Sequence, residues 1–414
     1  MNTNSMLKLK IAIVQLNPQI GQLKQTEKRA WSLLQNLKKE NKRPDLIIFP
    51  EFALTGYSFH SRPQIDPHLE DVHKASKNAQ TQHNLAFAAS VAKDFECYTV
   101  LGYPEANYHN SAMVVSPSGQ VLHNYRKHFT YDTDDEWNCV PGAGFTSFPL
   151  SLPVPKTTDS SNSPVVKCSI GICMDMNPDK FDDNKFNNFD FSSHCVDNDV
   201  QLVIVPTAWL HALSVTKRTE AKEKQAGIVK IKNLVKKFPY LQDPNKALAN
   251  DVRVDIQNGP TVLQENSTSK QQSNAIADYD PSKPDKSTVD YWMLRFFPFL
   301  YNPNRSSWFE FLQENRYLQR TGRNSYLGVT DIKEWGFEGK ETVLCICDRT
   351  GVEEDSTVYA GSSGIYKFNG KSFPEHGAKA EETGVSHPGV EVYGILPQGQ
   401  EGLLYREVEL NVKS

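Results

Sequence analysis

Three short segments place a chemically reactive side chain just beyond an apolar or strand-like run: Phe49-Pro50-Glu51, Tyr125-Arg126-Lys127 and Gly171-Ile172-Cys173. A cysteine can attack a carbonyl carbon, a glutamate can move the proton, and a lysine can stabilise the oxyanion that forms. Together these residue types predict hydrolysis of an amide or a related carbonyl compound. Reactive residues of α/β proteins commonly lie beyond the ends of strands, which suits all three positions.

Each residue alone also has a simpler interpretation. Glu51 could be an ordinary capping or salt-bridged glutamate, although its apolar surroundings would raise its pKa into a range useful for proton transfer. Lys127 could lie on a hydrated surface, and if it points inward it must pair with a carboxylate. Cys173 could be a buried structural cysteine, an interpretation that suits Cys168 better. The residues themselves leave these alternatives open.

The composition excludes several classes of protein. The chain has 414 residues, with 45 basic and 49 acidic side chains, so its net charge of -4 argues against a nucleic-acid partner. The richest apolar stretch, residues 291–300, contains Arg295 and Pro298 and is too short to cross a bilayer. We therefore expect no nucleic-acid partner and no membrane insertion.

The seven cysteines and the N-terminal residues predict the compartment. An odd number of cysteines without regular spacing suggests free thiols in a reducing compartment. The first ten residues contain Lys8 and Lys10 but no secretory apolar stretch, and the first strand-like run begins at once. We expect a cytoplasmic protein, with a mitochondrial fraction left open.

Apolar runs typical of buried strands recur along the chain and position the three segments. Between the first two runs, residues 26–40 have apolar side chains at helical spacing, and residues 75–91 repeat that pattern more loosely. Alternating strands and helices predict an α/β fold, and residues 403–412 alternate as a half-exposed strand would. The strand-like runs are residues 11–14, 46–49, 98–101, 112–115, 169–172, 202–205 and 343–347.

A polar segment interrupts this pattern. Residues 216–287 are rich in Lys, Gln, Asn, Asp and Ser, with low-complexity sequence at residues 264–274. We expect a single domain spanning residues 1–414, with residues 216–287 as a polar, partly mobile insertion. Its lysines are expected to form a solvated helix face, with a basic surface for a partner as the alternative.

The three segments, in the order Glu51, Lys127, Cys173, resemble the signatures of the nitrilase or carbon-nitrogen hydrolase superfamily. Longer stretches, residues 49–60, 291–301 and 359–370, resemble the fungal amidohydrolases that act on N-terminal asparagine and glutamine. The resemblance implies an α-β-β-α sandwich with two sheets packed face to face. It also implies deamidation of N-terminal Asn and Gln of proteins or peptides to Asp and Glu, which feeds the N-degron pathway.

The resemblance implies a role for each reactive residue. Glu51 would take the thiol proton of Cys173 as the sulfur attacks, and would deliver it to the departing ammonia. Lys127 and the backbone N–H of Met174 would bind the oxyanion, and water would then hydrolyse the thioester. No metal and no other cofactor is expected.

A substrate with a free α-ammonium calls for a carboxylate near the pocket. The candidates are Asp134, Glu136 and Asp175, and the first two are also candidates for the second acidic residue that the superfamily often has between its lysine and cysteine. Spacing does not decide between Asp134 and Glu136. Asp175, two residues after the nucleophile, either contacts substrate or caps the following turn, and capping is favoured.

The sequence departs from the superfamily pattern at one motif, and several alternative functions stay open. The superfamily's Asn-Arg-x-Gly is expected near the end of the chain, where Asp348-Arg349-Thr350-Gly351 stands, so the oligomeric state is left open. A small-molecule ω-amidase or carbamoylase would use the same three residues. A cysteine-histidine hydrolase with His194 or His211 would leave Glu51 and Lys127 without roles. A partner-binding module without activity is the non-enzymatic alternative.

Overall fold

The computed structural model describes residues 4–72, 82–152, 163–212, 214, 229, 233, 252–259, 279–302, 335–354, 357–372 and 388–413. The low-complexity stretch and most lysines of the polar segment lie outside these ranges. In the described part, six α-helices are α1 Leu23–Lys39, α2 Arg62–Ile65, α3 His83–Phe95, α4 Asp132–Glu136, α5 Asp190–Asp197 and α6 Lys286–Arg295. None of them is long and apolar enough to cross a membrane.

Two sheets make up the interior of the described protein. Their strands are β1 Asn4–Gln15, β2 Leu46–Ile48, β3 Tyr98–Glu105, β4 His109–Val115, β5 Val121–Arg126, β6 Ser147–Ser151, β7 Val165–Ile170, β8 Leu202–Thr207, β9 Arg253–Ile256, β10 Thr342–Asp348, β13 Gly364–Phe368, β14 Val390–Ile395 and β15 Gly402–Lys413, while β11 Val352–Glu353 and β12 Thr357–Val358 form a separate hairpin. The seven-stranded sheet has the order β5-β4-β3-β2-β1-β15-β9, and the six-stranded sheet has the order β14-β13-β10-β8-β7-β6.

The strands pack through their alternating side chains. In β8, Leu202 and Ile204 belong to the apolar cluster between the sheets, whereas Val203 and Val205 belong to the cluster beneath the helices. The α1 stripe that includes Leu33 packs with the outer face of the seven-stranded sheet, and α5 and α6 cover the six-stranded sheet. The α/β fold and the α-β-β-α order of layers are therefore confirmed.

The polar segment contributes to a sheet. Strand β9 lies within residues 216–287 and pairs in parallel with β15. Asp255 of β9 accepts hydrogen bonds from the guanidinium of Arg406, which is completely buried in β15. Part of the expected insertion is thus an edge strand tied to the core by a buried ion pair. The first half of β15 is buried, which differs from the predicted half-exposed strand, whereas residues 407–412 alternate between buried and more exposed positions as predicted.

Candidate active site

The backbone brings the three predicted reactive residues to one end of the two sheets. Glu51 follows β2, Lys127 follows β5 directly, and Cys173 begins a 3₁₀ turn after β7. Gly102 in β3 lets the segment around Glu51 pack closely, since a Cβ atom there would lie 2.6 Å from the Glu51 Cα. The prediction that these residues lie beyond strand ends is confirmed.

A buried group of charges joins Glu51 to Lys127. The ammonium of Lys127 lies 2.9 Å from Glu51 Oε1 and 2.6 Å from Asp134 Oδ2, and all three side chains are fully buried. Asn110 Nδ2 donates to the same two carboxylates, at 2.6 Å to Glu51 Oε1 and 3.0 Å to Asp134 Oδ1. The Ala208 N–H donates to Glu51 Oε2 at 2.7 Å. Two carboxylates and one ammonium thus form a closed, hydrogen-bonded cluster.

The electrostatics of this cluster favour proton transfer. Burial raises the pKa of Glu51, and the charge of Asp134 adds to the rise although Lys127 opposes it. Burial would lower the pKa of Lys127, but the two carboxylates outweigh burial and raise it well above its ordinary value. Lys127 therefore remains a cation, while Glu51 is a stronger base than a solvated glutamate.

The turn that presents Cys173 is held in a strained conformation. Cys173 has φ of 47°, in the left-handed region that non-glycine residues rarely adopt. Gly171 allows the approach, since a Cβ atom there would lie 2.7 Å from the Phe191 ring. The turn puts the backbone N–H of Met174 directly after the sulfur-bearing residue, and the Met174 side chain is buried.

The carboxylate of Asp175 holds this turn in place through hydrogen bonds. Its Oδ2 accepts from the Ile172 N–H and the Tyr125 hydroxyl, both at 2.8 Å. Its Oδ1 accepts from the backbone N–H groups of His128 and Phe129 at 3.0 and 2.8 Å. One buried carboxylate therefore ties the nucleophile turn to the segment that follows Lys127.

The Cys173 thiol lies in the field of the cluster. Burial raises its pKa well above the ordinary value, and Glu51 adds to the rise. Lys127, the Thr207 side chain and the Ala208 N–H act in the opposite direction. The resting sulfur is thus a protonated thiol next to a carboxylate with a raised pKa, which suits attack coupled to proton transfer.

The other predicted residues fall into different places. Asp134 lies inside the charged cluster. Glu136 is about half exposed and forms an ion pair with His60, which also pairs with Glu354 at 2.7 Å. The histidines of the cysteine-histidine alternative have other neighbours: His194 contacts Asn198, the residue that follows α5, and His211 lies 3.8 Å from Asp285.

Sequence reasoning missed Asn110 and the segment 207–208 as parts of the site. The available signal for Asn110 was a polar residue in strand β4, which pairs with the strand that precedes Lys127. The backbone N–H of Ala208 leaves no trace in the sequence. Within the described residues, no group of three or more His, Cys, Asp or Glu side chains could hold a metal ion.

Comparisons with known proteins agree with this geometry. The family described as carbon-nitrogen hydrolase matches residues 10–180. The protein N-terminal amidase of Saccharomyces cerevisiae is 37% identical over 465 aligned positions, covering 100% of this chain and 97% of the yeast protein.

Solved structures of N-terminal amidase extend the likeness to the whole fold. One, with an Asn-Glu-Ala peptide, has a TM-score of 0.79 and 35% identity, and the match covers 100% of both chains. Another, with a Gln-Gly peptide, has a TM-score of 0.76 and 35% identity with the same coverage. The chain therefore belongs to the carbon-nitrogen hydrolase family and, within it, to the protein N-terminal amidases.

Proposed function

We propose that this enzyme hydrolyses the side-chain amide of an N-terminal asparagine or glutamine and releases ammonia. The observation that supports this most strongly is the full-length likeness to N-terminal amidases, whose solved structures include Asn- and Gln-initial peptides. The buried cluster and the adjacent thiol supply the groups that hydrolysis of an amide requires. The products are an N-terminal Asp or Glu and ammonia.

Catalysis proceeds through a thioester. The Cys173 sulfur attacks the amide carbon while Glu51 accepts the thiol proton, and the oxyanion is bound by Lys127 and the Met174 N–H. The C–N bond then breaks as Glu51 returns the proton to the leaving nitrogen, which departs as ammonia. Water then attacks the thioester while Glu51 accepts its proton, and Glu51 returns this proton to the leaving sulfur, so that the acid product is released and the free thiol is regenerated.

Lys127 is suited to oxyanion binding because its charge is fixed. Two carboxylates keep it protonated and orient the ammonium at 2.6 and 2.9 Å. One oxyanion donor is worth about 3 kcal/mol in the transition state, so Lys127→Ala should nearly abolish activity.

From the product we infer a role for the enzyme in protein turnover. An N-terminal Asp or Glu is the form that arginylation and the ubiquitin branch of the N-degron pathway recognise, so the enzyme would act upstream of that branch. We place this activity in the cytoplasm, where free cysteines persist. The seven cysteines occupy described positions and form no disulfide there.

The decisive experiment compares ammonia release from Asn-Val, Gln-Val, N-acetyl-Asn-Val, Gly-Asn and free asparagine. We expect reaction with the first two only. Cys173→Ala is the blank, and Cys97→Ala is the matched control because Cys97 is a buried cysteine in the helix-covered cluster. Reaction with free asparagine or the acetylated peptide would instead favour a small-molecule ω-amidase, and activity on ureido acids alone would favour a carbamoylase.

A further inference from the structure

A substrate with a free N-terminus brings a cation into the site, and the carboxylates expected to bind it are already engaged. Asp134 and Asp175 are fully buried and accept hydrogen bonds on both oxygens. Glu136 lies at the surface with His60. The structure thus leaves the partner of the α-ammonium to be found elsewhere.

Asp348 is a further buried carboxylate at the same end of the sheets. It is the last residue of β10 and lies beside Thr207 in the parallel pairing with β8. Its side chain is completely buried, and Oδ1 accepts the Trp209 N–H at 2.7 Å. Its second oxygen, Oδ2, is buried without a hydrogen-bond partner.

The segment 207–209 connects Asp348 to the catalytic residues. The Ala208 N–H donates to Glu51 Oε2, and the next N–H along the chain, that of Trp209, donates to Asp348. The Thr207 side chain and the Ala208 N–H also act on the Cys173 thiol. Asp348 therefore lies one peptide unit from the groups that hold the general base and the nucleophile.

Nothing in the described surroundings neutralises this carboxylate by direct contact. The neighbouring Arg349 donates through Nη2 to the Pro18 carbonyl at 2.8 Å and to Glu353 at 3.3 Å instead. Burial raises the pKa of Asp348 well above its ordinary value, and the charge of Glu51 adds to the rise, whereas the N–H groups of Trp209 and Arg349 and the charge of Arg349 oppose it. A buried carboxylate with a vacant acceptor is costly until a cation or a strong donor reaches it.

We infer that Asp348 Oδ2 binds the α-ammonium of the substrate's first residue. This rests on the proposed function and deepens it. Three bonds separate the α-nitrogen of asparagine from its side-chain amide carbon, and four separate them in glutamine. The ammonium partner must therefore lie near Cys173, and Asp348 pairs in register with Thr207, whose side chain acts on the Cys173 thiol.

The same contact explains selection for a chain terminus. An internal asparagine or an acetylated N-terminus offers a neutral amide in place of the ammonium. Such a substrate would leave the buried acceptor of Asp348 without a cation, and losing a hydrogen bond between charged groups lowers binding strongly. Asp348 therefore determines specificity, whereas Glu51, Lys127 and Cys173 perform the reaction.

The test pairs a change in the enzyme with a change in the substrate. Succinamoyl-valine is Asn-Val with hydrogen in place of the α-ammonium, so the ratio of kcat/KM for the two compounds measures the ammonium contact alone. We expect Asp348→Asn to reduce this preference for Asn-Val by roughly 10- to 100-fold, the value of a charged hydrogen bond. Asp280→Asn is the matched control, because Asp280 is partly exposed and pairs with Lys283.

A second measurement does not depend on the folding of Asp348→Asn. Binding of both compounds to the inactive Cys173→Ala protein is measured by calorimetry, and we expect Asn-Val to bind at least about 10-fold more tightly. Equal affinities would overturn the inference, as would a parallel loss of activity towards both compounds in Asp348→Asn. If the unaltered enzyme releases no ammonia from Asn-Val, the proposed function itself fails, which is a distinct result.

Discussion

Replacing Asp134 with asparagine removes one negative charge from the buried cluster while preserving the size of the side chain. The Lys127 ammonium bridges Glu51 and Asp134 at 2.9 and 2.6 Å, so the two nearest carboxylate oxygens are at most about 5.5 Å apart. At an effective dielectric constant of about 20, two like charges at that separation repel each other by about 3 kcal/mol. This repulsion is one cause of the raised pKa of Glu51.

The substitution should change both the pH profile and the rate. Without the charge at Asp134, the pKa of Glu51 falls, so this base is ionised at lower pH and the acid limb of kcat/KM moves to lower pH. Lys127 meanwhile loses a charged partner, and a hydrogen bond to a charged group is worth about 1.5 to 3 kcal/mol. We therefore expect kcat to fall about 10- to 100-fold.

The assay is ammonia release from Gln-Val as a function of pH, with Asp135→Asn as the control. Asp135 is the next residue in α4, but it is about half exposed and pairs with Lys180 at 2.6 Å at the surface. Its substitution should leave the profile unchanged. An acid limb in Asp134→Asn that stays in place or moves to higher pH would refute the electrostatic argument.

Three further substitutions test other parts of the structure. Lys127→Met leaves two buried carboxylates without their cation, so the free energy of unfolding measured in urea should fall by about 3 to 5 kcal/mol. Lys8 is exposed, and Lys8→Met should change the free energy of unfolding by less than about 0.5 kcal/mol. Asp175→Asn leaves two of four donors unsatisfied, so we expect a loss of about 1 to 3 kcal/mol for each donor and slower alkylation of the Cys173 thiol by iodoacetamide. Burial would lower the pKa of His60, but its two glutamate partners raise it. The stabilisation by His60 is therefore present below the unfolded pKa and is lost as pH rises through the folded pKa. His60→Ala should destabilise the protein more at pH values near 5 than at pH values near 9, by less than about 1 kcal/mol, and an equal effect at both would contradict this sign.

The strands and the positions of the reactive residues could be predicted because short-range signals determine them. Apolar runs of β-branched residues formed β1, β2, β8 and β10, where both faces of the sheet are covered. A reactive residue after such a run lies at a strand end, and strand ends meet in an α/β fold. The order of three signatures then indicated the family.

Strand β9 could not be predicted in the same way. Its four residues, Arg253–Ile256, lie in a polar segment, and only its middle includes a buried residue, Asp255. The strand forms because β15 offers an edge and because buried Arg406 requires an acidic partner. Both reasons depend on contacts across about 150 residues of sequence, which local propensity does not register.

A local capping signal distinguishes Asp134 from Glu136, although spacing alone does not. Tyr131 precedes α4, and Asp134 is the third residue of that helix, where an acidic side chain can accept the N–H of the residue before the helix. The structure has this bond, from the Tyr131 N–H to Asp134 Oδ2 at 3.0 Å. This bond turns Asp134 inwards towards Lys127, whereas Glu136 lies two residues further round the helix and reaches the surface.

The excess of acidic groups around the Cys173 thiol also affects how tightly the product binds. Glu51 and Asp134 together outweigh Lys127 by one negative charge, and all three side chains are fully buried. The neutral amide of the substrate enters this environment without electrostatic cost, but hydrolysis converts it to a carboxylate beside the same two acids. Like charges at such distances repel strongly in a buried site. The arrangement that makes Glu51 an effective base therefore also weakens binding of the acidic product and favours its release.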